Sequence, residues 1–147
     1  MEICKTMQSE ITKIAHKHGF DLTASQAHLR LQNPPYMDLV IEKIGQAKIS
    51  VCHYVEINGD LCQDPEVCFF IDPLGWVPYE ITQMPVYIAG ITMGGYRICA
   101  EFDDTGTRIT GIKKRAMKEI AEFARSWSKN IQQQGYLERG IKDGNEG

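Results

Sequence analysis

The chain has 147 residues, of which 43% are hydrophobic, 9% aromatic and 24% charged, and its net charge is −3. This composition excludes a disordered chain and suits one folded domain with its own core. The small negative charge gives no general indication of nucleic-acid binding. The chain contains no apolar run of 18 residues, so the sequence predicts no membrane-spanning segment.

The number and spacing of the cysteines indicate the cellular compartment. There are five, and no two form a Cys-x-x-Cys pair, so neither a zinc ribbon nor a thioredoxin-like site is predicted. An odd number without a disulfide framework favours a reducing cytoplasm. The N-terminus is polar and lacks the apolar run of a signal peptide. Three cysteines lie inside strand patterns and are expected to be buried and unreactive: Cys52, Cys68 and Cys99.

Charge is distributed unevenly along the chain. Residues 37–107 carry 11 acidic and 3 basic side chains, a net charge of −8, whereas residues 108–130 carry 7 basic and 2 acidic ones, a net charge of +5. Two interpretations stay open. Either the basic segment docks beside the acidic one and neutralises it within the fold, or the two form separate faces for two partners.

The first elements are a helix and a short strand. Residues 3–18 repeat apolar side chains at helical spacing with lysines on the other side, and Gly19 provides a stop. Residues 28–32 alternate leucines with polar side chains, which predicts a short edge strand. The sequence Asn-Pro-Pro at 33–35 ends it, because proline lacks a backbone donor and restricts the residue before it.

A run of further strands follows, separated by turn residues. The predicted strands are 37–44, 48–57, 66–72, 76–82 and 96–103. Pro78 favours an edge position for the fourth of these. The apolar, glycine-rich residues 84–95 are read either as a strand or as a loop that lines something.

A long amphipathic helix completes the domain. It is predicted over about 109–134, with Gly135 at its end, and one face carries an apolar stripe of Ile112, Ala116, Ile120, Phe123, Ala124, Trp127 and Ile131. We therefore predict an α+β fold, in which an antiparallel meander of about five or six strands is covered by an N-terminal and a long C-terminal helix. The domain spans residues 1–137, and a flexible tail is expected over 138–147.

Residues 53–72 hold a histidine and several carboxylates, which raises the question of a metal site. His53, Glu56, Asp60 and Asp64 are the candidate ligands. His53 and Glu56 differ by three positions on a strand, so they point to opposite faces. The acidic residues also lack the regular spacing of a calcium loop. The sequence therefore favours no metal and no cofactor.

A structural interpretation of the same residues explains more of them. Asn58-Gly59 tolerates positive φ and predicts a chain reversal. Asp64 precedes Pro65 and is expected to accept backbone donors just after it. His53 lies on an apolar strand face, where a hydrogen-bonded core histidine is the favoured interpretation.

Basic side chains of the long helix suggest an alternative site. Lys113, Lys114, Lys118, Arg125 and Lys129 are candidates for phosphate contacts, against the simpler interpretation of a solvated helix surface. Aromatic side chains such as Tyr54 are poorer candidates for base stacking, because Glu56 and Glu80 would accompany them on the sheet.

Three segments resemble a family of uncharacterised small domains encoded by bacterial plasmids, phages and integrative elements. They are Asn33–Met37 (NPPYM), His53–Glu66 (HYVEINGDLCQDPE) and Trp127–Gly135 (WSKNIQQQG). The resemblance covers most of residues 28–137. It implies an accessory protein of a mobile element and carries no implication about chemistry. After Trp76 this chain departs from the family pattern, because an apolar, glycine-rich stretch replaces a polar one.

The leading functional expectation is a non-enzymatic, cytoplasmic protein-binding module that acts on a host-defence or plasmid-maintenance component. Its expected binding residues are Tyr54, Glu56, Asn58, Asp60, Asp64 and Glu66. One alternative is a nucleic-acid-binding protein that uses the basic helix. A second alternative is a metal-dependent hydrolase that uses His53, Asp60 and Asp64.

Overall fold

The structure of the chain is a computed structural model that describes residues 1–143, without the side chains of Val55, Glu56, Ile57, Leu61, Ile88 and Met93. Within this range the helices are α1 (Lys5–Lys17), α2 (Lys114–Gln133) and α3 (Tyr136–Arg139). The strands are β1 (His28–Asn33), β2 (Tyr36–Gly45), β3 (Lys48–Ile57), β4 (Asp60–Asp72), β5 (Gly75–Ile88), β6 (Ile91–Ile98), β7 (Ala100–Phe102), β8 (Ile109–Ile112) and β9 (Ile141–Lys142).

Strands β1 to β6 form an antiparallel meander in which each strand pairs with the next. Strand β9 joins the outer side of β1, giving the order β6-β5-β4-β3-β2-β1-β9, and β7 pairs separately with β8. The predicted α+β fold, with an N-terminal helix, an antiparallel meander and a long C-terminal helix, is confirmed.

The core forms between the sheet and a layer of helices. Helices α1 and α2 contact each other and β5. The helices contribute fully buried side chains at helical spacing, including Ile11 and Ile14 from α1 and Ile120 and Ile131 from α2. Each such side chain contributes about 1.5–3 kcal/mol by leaving water, so the apolar stripes fix both helices against the sheet.

Tight turns explain two of the hairpins. Asn58 and Gly59 have φ of 51° and 86°, the positive values that a two-residue turn between antiparallel strands requires, so the predicted reversal is confirmed. Ala89 and Gly90 repeat this arrangement, with φ of 51° and 80°. Residues 84–95 therefore belong to the β5–β6 hairpin, which resolves the open choice in favour of strand.

Strand β5 tolerates two prolines although it lies between β4 and β6. The edge position predicted from Pro78 is wrong for the strand as a whole, because β6 pairs with it from Glu80 onward. Pro78 lies beyond that paired stretch, where no β6 partner requires its missing N–H. Pro85 falls where the β5–β6 register shifts between Gln83 and Val86, at a bulge.

The end of the described chain returns to the sheet. The flexible tail over 138–147 stays a prediction: its first residues belong to the end of α3 and to β9, and residues 144–147 lie outside the described part. Asp143 also donates its backbone N–H to the carbonyl of Arg30 at 3.0 Å, extending the pairing with β1. Between residues 1 and 143, no helix has the combined length and apolar character that crossing a bilayer requires.

Candidate functional site

A cleft of about 480 Å³ lies between the sheet and the C-terminal half of α2. The sheet side provides Pro35, Tyr36, Met37, His53 and Pro65. The helix side provides Phe123, Ser126, Trp127, Asn130, Gln134 and Tyr136. The cleft is the candidate functional site, because concave, largely apolar surfaces with a few polar groups are where proteins most often bind ligands.

The helix wall follows from the spacing of α2. Phe123, Trp127, Asn130 and Gln134 lie at i, i+4, i+7 and i+11, so they form one row along the helix. This row borders the buried stripe: Trp127 is only 5% exposed, whereas Asn130 is exposed. The wall is therefore aromatic at its base and polar at its rim.

The opposite wall is held to the end of α2 by two buried side chains. Asn33, which is 3% exposed, donates from Nδ2 to the carbonyl of Gln134 at 2.7 Å. The fully buried Tyr136 donates its hydroxyl to the carbonyl of Met37, and burial raises its pKa to about 12. These bonds join the β1–β2 turn to the α2–α3 junction, so the cleft is fixed before any ligand arrives.

Gly135 makes the α2–α3 junction possible. Its φ is 80°, and a Cβ at this position would lie 2.3 Å from the guanidinium of Arg139. That guanidinium donates to the carbonyl of Gln134 at 2.6 Å. The guanidinium can move aside, so it is the positive φ that favours glycine here, where α2 ends and α3 begins with Tyr136.

His53 forms the inner end of the cleft. It is 4% exposed, and its Nδ1 lies 2.9 Å from the carbonyl oxygen of Asp38. Its ring packs edge-on to Trp127, with 5.3 Å between centroids, and lies 5.6 Å from the ring of Tyr136. Burial lowers the pKa of His53, with the Asp38 carbonyl opposing the shift, so the ring is neutral at pH 7.

The cleft has no charged lining. None of the described residues that line it carries a formal charge, because His53 is neutral and the remaining polar groups are hydroxyls, amides and the indole N–H of Trp127. Tyr36 and Met37, each 42% exposed, extend the apolar surface onto the rim. Such a surface suits a neutral, largely apolar group, since burying an unpaired charge here would be costly.

Most of the site residues predicted in the β3–β4 hairpin lie elsewhere. We call residues 54–66 the acidic hairpin. Of the predicted site residues in it, Asn58 and Asp60 are exposed at its tip, and the side chain of Glu56 lies outside the described part. Pro65 reaches the cleft. The proposal that the acidic hairpin itself binds a partner stays a prediction.

Glu66 belongs to a polar group on the sheet. Its Oε2 accepts a hydrogen bond from the Ser50 hydroxyl at 2.5 Å, and its Oε1 accepts one from Gln63 at 3.1 Å. Burial is the largest cause that raises the pKa of Glu66, and Glu80 and Glu42 add to it. Tyr54 is half-buried beside this group, and burial raises its pKa too.

Asp64 forms a hydrogen bond between two strands. Its carboxylate was expected to accept donors just after Pro65, but its Oδ1 accepts the backbone N–H of Met84 on β5 at 3.2 Å. The difference follows from a bulge: the β3–β4 register shifts between Cys52 and Tyr54, which displaces the Asp64–Pro65 segment. This carboxylate therefore helps to hold β4 against β5.

The residues of the hydrolase alternative do not all lie together. His53 lies in the cleft, whereas Asp60 is at the hairpin tip opposite Ile57, which is four residues or about 13 Å from His53 along β3. Asp64 is near enough for its charge to oppose the lowering of the His53 pKa, and its Oδ1 accepts the backbone N–H of Met84. Across the described residues, no three histidine, cysteine, aspartate or glutamate side chains are arranged to hold a metal ion.

The basic residues of the nucleic-acid alternative divide into two groups. Lys113, Lys114, Lys118 and Lys129 are exposed along α2. Arg125 is half-buried, and it pairs with the carboxylate of Glu2 at 2.9 Å and donates to the carbonyl of Ile3 at 3.2 Å. Arg125 thus fixes the N-terminal segment, and the phosphate-contact role of all five residues stays a prediction.

Sequence reasoning missed the cleft, although signals for its parts were present. The apolar stripe predicted on α2 included Phe123 and Trp127, and the three segments of the resemblance contain Pro35, His53 and Asn130. Those segments are more than a dozen residues apart in the chain, and the fold brings all three to one cleft. The contact among these three segments follows from the tertiary structure and has no signal in the local sequence.

The buried cysteines fit their predicted role. Cys52, Cys68 and Cys99 are at most 2% exposed, and burial raises the pKa of each, to about 11 for Cys99.

No curated protein and no solved structure matches the chain. A family model matches residues 8–137. The chain therefore belongs to the family described as "Domain of unknown function (DUF6908)".

Proposed function

We propose that the protein is a non-enzymatic binding module that takes a neutral, largely apolar side chain of a partner protein into the cleft. The observation that carries this proposal is the cleft itself: about 480 Å³, with buried aromatic walls and no charged group among its described lining residues. Protein interfaces commonly anchor on one aromatic or aliphatic side chain that fills such a cavity.

The rim supports a protein partner. Tyr36 and Met37 are exposed beside the opening, and Ser126, Asn130 and Gln134 surround its other side. Exposed aromatic and methionine side chains within a polar rim are typical of the centre of a protein–protein interface. The fixed walls add to affinity, because binding then orders few side chains.

We also propose that the module serves a mobile genetic element in the cytoplasm, and that its partner is a host-defence or plasmid-maintenance component. The resemblance of Asn33–Met37, His53–Glu66 and Trp127–Gly135 to domains of plasmids, phages and integrative elements supports the first part. The free cysteines support a reducing compartment. The genes adjacent to this one test the assignment, since a mobile-element context would include transfer, replication or integration genes.

The binding experiment uses two charge-matched variants of α2. Asn130→Arg places a cation in the mouth of the cleft, whereas Gln132→Arg adds the same charge at an exposed position of the same helix that does not line it. N-acetyl amides of leucine, phenylalanine and tryptophan serve as probes, and binding is followed by NMR titration. We expect millimolar binding of at least one probe to the wild type and to Gln132→Arg, and its loss in Asn130→Arg.

The same pair of variants tests the partner. We expect a protein from the host lysate that is retained by the wild type and by Gln132→Arg and is lost with Asn130→Arg. Equal retention by both variants, together with no binding of any amide probe to the wild type, would contradict the proposed use of the cleft.

A further inference from the structure

The hydrogen bond of His53 defines its tautomer. Nδ1 lies 2.9 Å from the carbonyl oxygen of Asp38. A carbonyl oxygen only accepts hydrogen bonds, so Nδ1 carries the proton. In the neutral ring Nε2 then has a lone pair and no hydrogen, which makes it an acceptor.

That acceptor has no hydrogen-bond partner in the described part of the chain. Among the residues that the structure describes, no group hydrogen-bonds to Nε2 of His53, and this atom is not sealed from solvent as the unpaired Nε2 of His18 is. His53 is 96% buried and lines the cleft, so its free lone pair faces the interior of the cleft. A ligand that displaces water there must supply a hydrogen or lose affinity.

Two donors beside Nε2 are already used within the fold. The Tyr136 hydroxyl donates to Met37, and Nδ1–H of His53 donates to Asp38. The neighbouring walls are the flat rings of Trp127 and Tyr136. A planar ligand can pack on these rings and turn its edge toward Nε2, provided that the edge carries a donor.

We propose that the cleft recognises an indole ring, presented by a tryptophan side chain of the partner protein, through a hydrogen bond from the indole N–H to Nε2 of His53. The indole nitrogen is a donor only, which matches an unpaired acceptor. A phenyl ring would leave Nε2 unpaired. This inference rests on the proposed function and specifies the ligand of the same cleft.

Two isomeric probes isolate the hydrogen bond. 3-Methylindole keeps the N–H and mimics the tryptophan side chain, whereas 1-methylindole has the same formula but replaces the N–H by N–CH₃. Binding of each to the wild-type protein is measured by NMR titration. We expect 3-methylindole to bind about tenfold more tightly, which corresponds to the loss of one hydrogen bond to a buried acceptor.

A variant and a direct observation complete the test. In His53→Phe, the two isomers should bind with equal affinity. If this variant does not fold, the ¹⁵N resonance of Nε2 in the wild type replaces it, and we expect that resonance to move with 3-methylindole and to stay in place with 1-methylindole.

The outcomes separate the two proposals. Equal affinity of the wild type for both isomers, or tighter binding of p-cresol than of 3-methylindole, would overturn the indole assignment and leave the cleft as a binding site. The p-cresol result would point to a tyrosine, such as the exposed Tyr87 of a second copy of this chain. If neither isomer, p-cresol nor any amide probe binds, the proposed function fails together with this inference.

Discussion

The cleft and the acidic hairpin differ in where their residues lie along the chain. The acidic hairpin concentrates its polar residues within residues 54–66, and these residues serve a turn, a bond between strands and a polar group around Glu66. The cleft collects apolar residues from distant segments and places one buried, unpaired acceptor, His53, among them. The observed contacts of the acidic hairpin therefore serve the turn and the sheet, and its binding role stays a prediction, while the candidate site in the cleft is assembled by tertiary packing.

The largest expected difference between the two regions is in stability. Tyr136→Ala should lower the free energy of unfolding by about 3–5 kcal/mol, because it removes a fully buried ring and the bond to Met37. Asp60→Ala, at the exposed hairpin tip, should change it by no more than about 0.5 kcal/mol. Urea denaturation measures both. Similar losses of unfolding free energy in the two variants would show that the cleft and the tip of the acidic hairpin contribute equally to stability, which would contradict the expected difference.

A smaller loss is expected where the cleft walls are joined. Asn33→Ala should cost about 1–3 kcal/mol, because it leaves the carbonyl of Gln134 with one bond fewer and opens a space in a buried place. The affinity for 3-methylindole should fall with it. Gln32→Ala changes the exposed neighbouring residue and serves as the control, with stability and affinity near those of the wild type.

The acidic hairpin has a test of its own. The double variant Asp60→Ala, Asp64→Ala should lose about 1 kcal/mol, mainly through the lost bond from Met84 to Asp64. Its affinity for the cleft probes should not change. A normal melting temperature together with lost binding of the partner would show instead that the acidic hairpin is the binding site.

The two regions should also respond to pH in opposite directions. Burial lowers the pKa of His53, so the unfolded chain binds this proton more readily than the folded protein. The contribution of His53 to stability is therefore complete above its unfolded pKa of about 6.5 and is lost as the pH falls toward its folded value. In His53→Gln, chemical denaturation at a series of pH values should show a smaller loss of stability on acidification below pH 6.5 than in the wild type.

The contribution of Glu66 to stability changes with pH in the opposite direction. Its pKa is raised, mainly by burial, so the folded protein holds this proton more tightly than the unfolded chain. The wild type should therefore gain stability from Glu66 as the pH falls through its folded pKa toward about 4.3. Glu66→Gln should lack that gain, so the difference in unfolding free energy between the wild type and this variant should change with pH. We expect the change to be a fraction of the loss caused by Tyr136→Ala. A difference in unfolding free energy that does not change with pH would contradict a raised pKa of Glu66 in the folded protein.

Local patterns predicted the elements of this fold well where one periodicity dominates. The stripes of α1 and α2, the alternation of β3 and the turn at Asn58-Gly59 depend on neighbouring residues alone, and each appears in the structure. Pro78 misled the prediction because a proline only needs the position at its own N–H to be unpaired, which β5 achieves where β6 has ended. Strand β9 is two residues long and has no periodicity to detect.

The site was less predictable for a physical reason. Trp127 was recognised as apolar, but whether an apolar residue fills a core or lines a cleft depends on what faces it across the fold. Pro35 and Asn130 are 95 positions apart in sequence and line one cavity. A hydrogen-bonded core histidine is the interpretation that the sequence favours for His53, and Nδ1 fits it; only the tertiary structure shows that no described residue bonds to Nε2.

The most direct test is an amide chemical-shift map of the wild-type protein during titration with 3-methylindole. We predict that the shifts centre on Met37, His53, Asn130 and Gln134, on both walls of the cleft. Shifts that centre on Asn58, Asp60 and Glu66 instead, with the cleft residues unmoved, would show that the acidic hairpin holds the ligand and would contradict the assignment of the cleft as the binding site.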